Sequence, residues 1–521
     1  MLPRRTALGL AGAAAAFVPA RAQAPAVLRV GIALAPNAAD PHFYNGYADK
    51  ALALHVFSRL VEQTGDTKLQ PGLALSWHPL SDEEWEFKLR PGVRFSDGTP
   101  FTPDDVVFSY ERAPNVPNTP GGFGPVLRKV AGVTVVDGDT LRIRTTVPHP
   151  NLPNDLANVA ILSRRTAEGA STADFNTLKA AVGSGPYRLV GYNTGTGFEL
   201  ERNPHWFGAR PDWDRVVFRV IPTPGARTAA LLAGDVDLID APTAGDLPRL
   251  RADGRVSVVS TPGTRMWFLR LDRSRTGEVP FITANDGKPL PSNPLNDARV
   301  RQALSLAINR SALAERVMEG TVVPTGQWLP PGAYSYNPAI PTPAFDPDRA
   351  KALLTEAGFP AGFQVTLHSS AMPEAVQAVA QMWSRVGVRT RVEMMPASMF
   401  STRAAKQDFA AFSGSWGSNS GEAGYFLVNI LATSDRAKGL GPFNWGRYSN
   451  PALDQVTERA MATIDDAARE TLLKEAVAMA MSDLAVIPLF QTVNFWATRK
   501  PVAYAARADE RTVAMSATLA R

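Results

Sequence analysis

The sequence predicts an α/β fold with more than one domain, and three observations carry the prediction. The chain has 521 residues, too many for one hydrophobic core. Between Asp346 and Met394 strand and helix patterns alternate with short links, which yields parallel strands and right-handed crossovers. Between Ser76 and Phe95 the pattern changes to the period-two alternation of an antiparallel hairpin, so a second structural zone interrupts the first.

Each element follows from its residues. Val27–Leu34 is apolar enough for a first strand, Asn37–Tyr47 is a loop containing Phe43 and Tyr44, and a helix is expected over Asp49–Leu60. Trp85, Phe87 and Leu89 alternate with Glu84, Glu86 and Lys88, the mark of a half-buried strand. Pro91-Gly92 turns the chain, Val93-Arg94-Phe95 is expected to return as the paired strand, and Asp97-Gly98 turns again. Thr102-Pro103-Asp104-Asp105 starts a helix that continues through Val106–Arg112: a capping hydroxyl, a proline at the first helical position, and two acids at the positive end of the dipole.

In the second half Asp346-Pro347 opens a helix with Ala350, Leu353, Leu354 and Ala357 on one face, closed by Gly358. Phe363–Leu367 is a strand, Pro373–Val386 a helix with Val376, Val379, Ala380 and Trp383 inward, and Val388–Met394 a strand again. Phe409–Phe412 reads as a further strand of that sheet, followed by a Gly/Ser-rich loop around Trp416. Ligands of open α/β sheets sit at the carboxyl ends of strands, so Trp416, Asn419, Glu422 and Tyr425 are placed for binding, with the tryptophan as a stacking face.

The apolar and charged fractions are those of a globular protein. Arg4-Arg5, the apolar run Ala7–Val18 and Ala22-Gln23-Ala24 form a signal-peptide pattern at residues 1–24, with cleavage expected after Ala24. The arginine pair suggests twin-arginine export, with general secretion also open. The formal net charge is +5, and +2 once Arg4, Arg5 and Arg21 are removed with that segment; the remaining bases are interleaved with acids, so no nucleic acid is implied. With no cysteine there is no disulfide framework, thiolate metal site, cysteine nucleophile or lipid-modified cysteine, and the expected product is a freely soluble exported protein rather than a lipoprotein.

No catalytic constellation stands out. The six histidines, His42, His55, His78, His149, His205 and His368, are separate in sequence and are read as surface or cap residues rather than metal ligands. Gly417–Gly421 has the outline of a nucleophile elbow, but Asn419 stands where the serine would be. Gly121–Gly124 lacks the lysine of a phosphate loop, and Asp104-Asp105 and Asp465-Asp466 sit at helix starts. No catalytic residue, metal or cofactor is assigned; a secreted hydrolase and a periplasmic peptide-binding chaperone are the alternative readings.

Seven segments in order resemble the extracellular solute-binding proteins, family 5: LALSWHPLSDEEWEFKLRPGVRFSDGTPFTPDDVVFSYER (Leu73–Arg112), GSGPYRL (Gly183–Leu189), ERNPHWFG (Glu201–Gly208), ARTAALLAGDVDLID (Ala226–Asp240), VRQALSLAINRSAL (Val300–Leu313), FDPDRAKALLTEAGF (Phe345–Phe359) and AVIPLF (Ala485–Phe490). The resemblance implies a periplasmic binding protein-like fold of class II: two lobes joined by a hinge, plus an inserted satellite domain. It places lobe I at 27–66, 183–268 and 489–521, the satellite at 67–182, and lobe II at 269–488, with crossings near Leu269 and Pro488. The function it implies is the periplasmic component of an ABC importer, a monomer that closes on a peptide or peptide-like solute without chemistry and passes it to the permease subunits. Laid on the family's tryptophan-x-x-aspartate loop, which takes a peptide's α-ammonium group, this chain has Trp416 and, in place of the acid, Asn419; Glu422 is a possible substitute. His368–Glu374, where some dipeptide binders carry a basic carboxylate anchor, has no arginine or lysine, so Arg403 and Lys406 are the nearest replacements. The expected ligand set is therefore Trp416, Asn419, Glu422, Tyr425, Phe43, Tyr44 and Arg403, and separate histidines argue against nickel or haem.

Overall fold

The computed structural model describes residues 26–418 and 420–520; the expected signal segment 1–24 and Asn419 lie outside the described residues. Its backbone is one sheet of twelve strands that runs through the whole molecule. At one end Val27–Ile32 pairs in parallel with Arg215–Val220 and Leu238–Asp240, and Tyr187–Asn193 with Gly197–Arg202 forms an antiparallel hairpin on the edge. At the other end Phe363–Ser369 runs parallel to Val388–Met394 and to Ala411–Gly417.

Two long antiparallel strands connect the ends, Val256–Leu271 and Ile487–Arg499. Their ladder breaks register between Pro262 and Met266 and again between Trp267 and Phe268, and such bulges bend a ribbon. Each end has its own apolar core. One gathers Leu28, Val30, Phe198, Leu200, Val216 and Phe218; the other Leu304, Leu353, Phe363, Val365, Val379 and Trp383. A four-stranded antiparallel sheet, Ala74–Ser81, Glu84–Leu89, Thr140–Thr145 and Val130–Asp137, makes a third unit around Trp85, Phe87, Leu141 and Ile143.

Most local expectations hold. The Thr102 start becomes the helix Pro103–Arg112, with the Asp105 carboxylate accepting the Thr102 N–H at 2.8 Å. The Asp346 side chain caps Pro347–Glu356 at the Arg349 N–H, and Gly358 closes it at φ +90. Four readings change. The first helix is Tyr47–Val56, and Val61–Gln63 is a strand paired with Leu69–Pro71. Val93–Phe95 is not a returning strand: both edges of Glu84–Leu89 are occupied by Ala74–Ser81 and Thr140–Thr145, so Val93 and Phe95 are buried from a loop. The Phe409–Phe412 strand runs instead from Ala411 to Gly417, because it gains Arg265–Leu271 as an antiparallel partner, and Trp416 therefore lies in the strand rather than in the loop after it. Finally, His42, His55, His149 and His368 are buried rather than on the surface.

Candidate functional site

The site grows from the strand Ala411–Gly417. Its parallel neighbour Phe363–Ser369 covers it only as far as His368↔Phe412, where Ser369 and Ser413 share a hydrogen bond at 2.5 Å. Beyond that point this edge of the strand is free, and a cavity of about 180 Å³ opens beside it. Its walls are aromatic: Trp267, Phe400, Phe412, Trp416, Phe443 and Trp445, with Ser370, Ser401, Ser413 and Ser415 between them. Trp416 and Phe443 have ring centroids 5.0 Å apart, and Trp416 and Tyr425 5.6 Å. Aromatic rings at such spacings make rigid walls that lose little entropy on binding.

Among the described residues Arg270 is the one cation on this cavity, and it comes from the crossing strand Val256–Leu271. Met266, Phe268 and Arg270 alternate onto one face of that strand opposite Trp416, Gly414 and Phe412. Its side chain is 6% exposed, Nη1 donates to the Phe443 carbonyl, and its charge lies 5.1 Å from the ring of Phe268 and 5.4 Å from that of Trp445. Burial pushes its pKa down to about 9.

The other charged groups along the cleft are matched. Arg265 pairs with Glu510 at 3.0 Å, and Asp509 takes Arg507 and, at 3.4 Å, Arg511. Arg265, Glu510, Asp509 and Arg511, with Asn45, Tyr47, Lys50, Thr264, Gly417 and Ser418, surround a second cavity of about 200 Å³, so the segment after Tyr44 and the carboxyl end of the Trp416 strand face each other. Lys50 donates to Asn158 at 2.9 Å, and burial holds its pKa well below the usual lysine range.

The expected residues fall into three groups. Trp416 and Tyr425 come together on the aromatic wall. Glu422 lies close in sequence but is 1% exposed and ion-paired with Arg469, itself 2% exposed; it also accepts from the Tyr425 N–H at 3.2 Å. An α-ammonium group reaching Glu422 would have to displace that guanidinium. Phe43 and Tyr44 are half-buried on a loop held by Asp40, and Tyr44 packs at Gly121, where Asn45 N–H meets the Gly121 carbonyl at 2.9 Å. Arg403 is bound elsewhere, to Asp408 at 2.7 Å and Glu393 at 3.0 Å, although Phe400 and Ser401 of its helix line the cavity. Asn419 is outside the described residues.

Arg270, Arg265, Glu510 and Lys50 are the residues that sequence reasoning missed. Arg270 left a signal: in Met266–Leu271, MWFLRL, a single charge interrupts an apolar strand on the face of Met266 and Phe268.

The model of the bacterial extracellular solute-binding proteins, family 5, matches residues 68–438. The chain is 29% identical over 481 residues to heme-binding protein A of Haemophilus influenzae, covering 86% of this chain and 84% of that protein. It is 27% identical over 502 residues to the dipeptide-binding protein of Escherichia coli, covering 90% and 89%. It is 29% identical to the glutathione-binding protein GsiB of Pectobacterium atrosepticum over 91% and 90%. Among solved structures, HbpA2 from Haemophilus parasuis superposes with a TM-score of 0.81 at 24% identity over 95% of this chain and 99% of that one. The unliganded open form of the periplasmic murein tripeptide binding protein MppA gives 0.80 at 22% identity over 95% and 98%.

Proposed function

We propose, for a chain that belongs to the bacterial extracellular solute-binding proteins of family 5, that it captures a small peptide-like solute between the two ends of its sheet and hands it to the permease of an ABC importer. Members of the family are periplasmic substrate-binding proteins rather than enzymes. The observation that carries the reading is the aromatic cavity at the free edge of the Trp416 strand, beside the two strands that connect the ends. A cleft bridged by two bent strands is the arrangement that hinge closure uses. The lobes assigned to 27–66, 183–268 and 489–521 on one side and 269–488 on the other would swing about Leu269 and Pro488, carrying the 67–182 satellite with the first.

The charge pattern narrows the solute. Glu422, Glu510 and Asp509 each already hold an arginine, and Asn419 stands in the position of the family's amine-binding acid. A peptide-like molecule whose amine is blocked or absent suits such a cleft better than a free dipeptide. We further infer export with cleavage after Ala24, action as a monomer, and no turnover of the solute.

Mass spectrometry of solute released from the purified mature protein identifies the ligand, and small-angle scattering with that ligand is expected to show compaction. Unchanged dimensions at saturation, or conversion of the ligand to a product, overturns the reading. N-terminal sequencing of periplasmic material is expected to begin at Pro25; retention of Met1 there removes the export assignment.

A further inference from the structure

Buried arginines in this protein are satisfied in one of two ways. Some meet a carboxylate, as Arg469 meets Glu422 and Arg301 meets Asp483 at 2.9 Å. Others meet carbonyl oxygens: Arg310, 3% exposed, donates Nε to Pro488 at 2.7 Å, Nη1 to Ser305 at 3.1 Å, and Nη2 to the Ser305 hydroxyl at 3.0 Å. Arg270 is held less fully than either: among the described residues no carboxylate pairs with it, Nη1 alone donates, to the Phe443 carbonyl, and its buried Nε meets no acceptor. The Nε atoms of Arg301 and Arg469 are unmet too, but each of those arginines has a carboxylate to neutralise it. The indole N–H groups of Trp267 and Trp416, on the same cavity, are also without acceptors. A buried, unpaired cation and unmet donors are costly to folding, and the cost falls away when a ligand supplies the negative charge.

We propose that Arg270 is the anion-binding residue of the cleft and that it takes a carboxylate of the solute, with the aromatic wall of Trp416, Phe443 and Trp445 covering the adjoining apolar part. The inference rests on the solute-binding reading and adds the chemical class of the substrate: an organic acid or peptide-like acid with an apolar group next to its carboxylate. Glycine at 414 helps to keep the guanidinium open, because a Cβ there would stand 3.7 and 3.8 Å from Nε and Nη2, and a longer side chain would cover that flank. The serines at 370 and 415 line the same cavity and offer hydroxyl donors to the second carboxylate oxygen. The lysine across the cleft, Lys50, already donates to Asn158 and lies on the second cavity, so it does not compete for this group.

The test uses the full mature protein, freed of bound solute, with two probes of nearly equal shape, N-acetylphenylalanine and N-acetylphenylalaninamide, followed by tryptophan fluorescence and thermal shift. Wild type is expected to bind the acid at least about tenfold more tightly than the amide, the difference that one charge-assisted hydrogen bond makes. Arg270→Met removes that preference, and Arg270→Lys retains part of it. The ligand-free melting temperature of Arg270→Met should equal or exceed that of wild type, since a buried unpaired charge is replaced by an apolar chain of similar length. An arginine needed for the fold would give the opposite result, a steep fall in melting temperature, and that result overturns the assignment. So does equal binding of acid and amide by wild type, or an acid preference that survives Arg270→Met. If a neutral solute compacts the protein without turnover while these probes show no acid preference, the solute-binding reading stands and the assignment of Arg270 falls. If no solute compacts it, the solute-binding reading falls.

Discussion

Two buried polar regions of this protein are built on opposite principles. At Asp40, beneath the loop that carries Phe43 and Tyr44, both carboxylate oxygens are fully partnered. Asp40 is 0% exposed and takes both Arg112 nitrogens at 2.7 and 3.0 Å, the Thr172 hydroxyl at 3.0 Å and the His42 N–H at 3.0 Å. Burial pushes its pKa up, but the Arg112 hydrogen bonds and charge outweigh this and hold it below the usual aspartate range. Around Arg270 the guanidinium Nε and two indole N–H groups are left without acceptors among the described residues, and only Nη1 is met, by the Phe443 carbonyl. Polar groups satisfied internally hold a loop in one place; those left unmet by the protein beside a cavity favour a ligand that brings the acceptor.

The largest break in this contrast comes from the matched side. Arg112→Met strips Asp40 of its bidentate partner and leaves a charge with 0% exposure, which should cost about 3–5 kcal/mol of unfolding free energy in urea titration. Arg270→Met is expected to cost nothing there. A loss below about 1 kcal/mol for Arg112→Met would show that the Asp40 network is dispensable and that the two regions do not differ as argued.

Trp416→Ala should do the reverse. It removes the central wall of the cavity, so binding of the natural solute should weaken by about 2–4 kcal/mol in calorimetry, while the melting temperature shifts little because the ring is only half-buried. A large fall in stability with unchanged affinity would reassign Trp416 to the core of Met266, Phe268 and Phe426 that it adjoins.

What the sequence disclosed follows from the range of the interactions involved. The run from Pro347 to Met394 was legible because each helix face and each strand is set by residues within one or two turns, and Asp346 and Gly358 mark the ends of its first helix. The strand Ala411–Gly417 was only half legible: Ser413, Gly414 and Ser415 have poor strand propensity and are held extended by Arg265–Leu271, more than 140 positions earlier in the chain. Histidine burial was illegible for the same reason, since the His55 ring is packed by Tyr187, Phe198 and Phe218 and receives the Ala514 N–H. Of the candidate site, Trp416 and Tyr425 were visible as aromatics in a Gly/Ser-rich stretch. Commitment of Glu422 to Arg469 and of Arg403 to Asp408 and Glu393 depends on pairings that no local pattern records.

A smaller effect tests the seam between the satellite region and the Trp416 segment. Gly421 has φ +70, and a Cβ on it would collide with the Thr67 side chain, so both the backbone angle and the close approach require glycine. Gly421→Ala should therefore cost on the order of 1–2 kcal/mol of stability. It should also weaken solute binding by holding Thr67 away from the Gly421–Glu422 turn. Wild-type stability and affinity in this variant, measured by thermal melting and calorimetry, would show that the seam yields freely.

The gentlest probe is pH, and it leaves the charge of Arg270 unchanged. His55 uses both ring nitrogens as a neutral imidazole, with Nδ1–H donating to Ala51 at 2.7 Å and Nε2 accepting from Ala514 at 2.8 Å. His42 does the same, with Nε2–H on the Ala160 carbonyl at 2.8 Å and Nδ1 toward Arg112 at 3.3 Å. Burial, and for His42 the nearby Arg112 charge, lowers each pKa to about 4. The unfolded chain, with ordinary values near 6.5, therefore binds up to two more protons than the folded one between pH 4 and 6.5, so stability is complete above that window and falls as the pH drops through it. Asp240 works against this: burial raises its pKa to about 6, so the folded state gains a proton there. Among these three groups the balance is about one proton, or about 1.4 kcal/mol per pH unit, and their joint contribution to stability rises from pH 4 to 6. Burial also raises the pKa of Asp49, Asp105 and Glu62 and lowers that of His368, so the His42 share is read as a difference from wild type. His42→Gln can keep the donor to Ala160 but cannot take a proton, so its slope should be smaller than that of wild type by about one proton while Arg270→Met keeps the wild-type slope. Urea midpoints at half-unit pH steps separate the cases, and a wild-type slope in His42→Gln would mean that the acid sensitivity arises outside the Asp40 network.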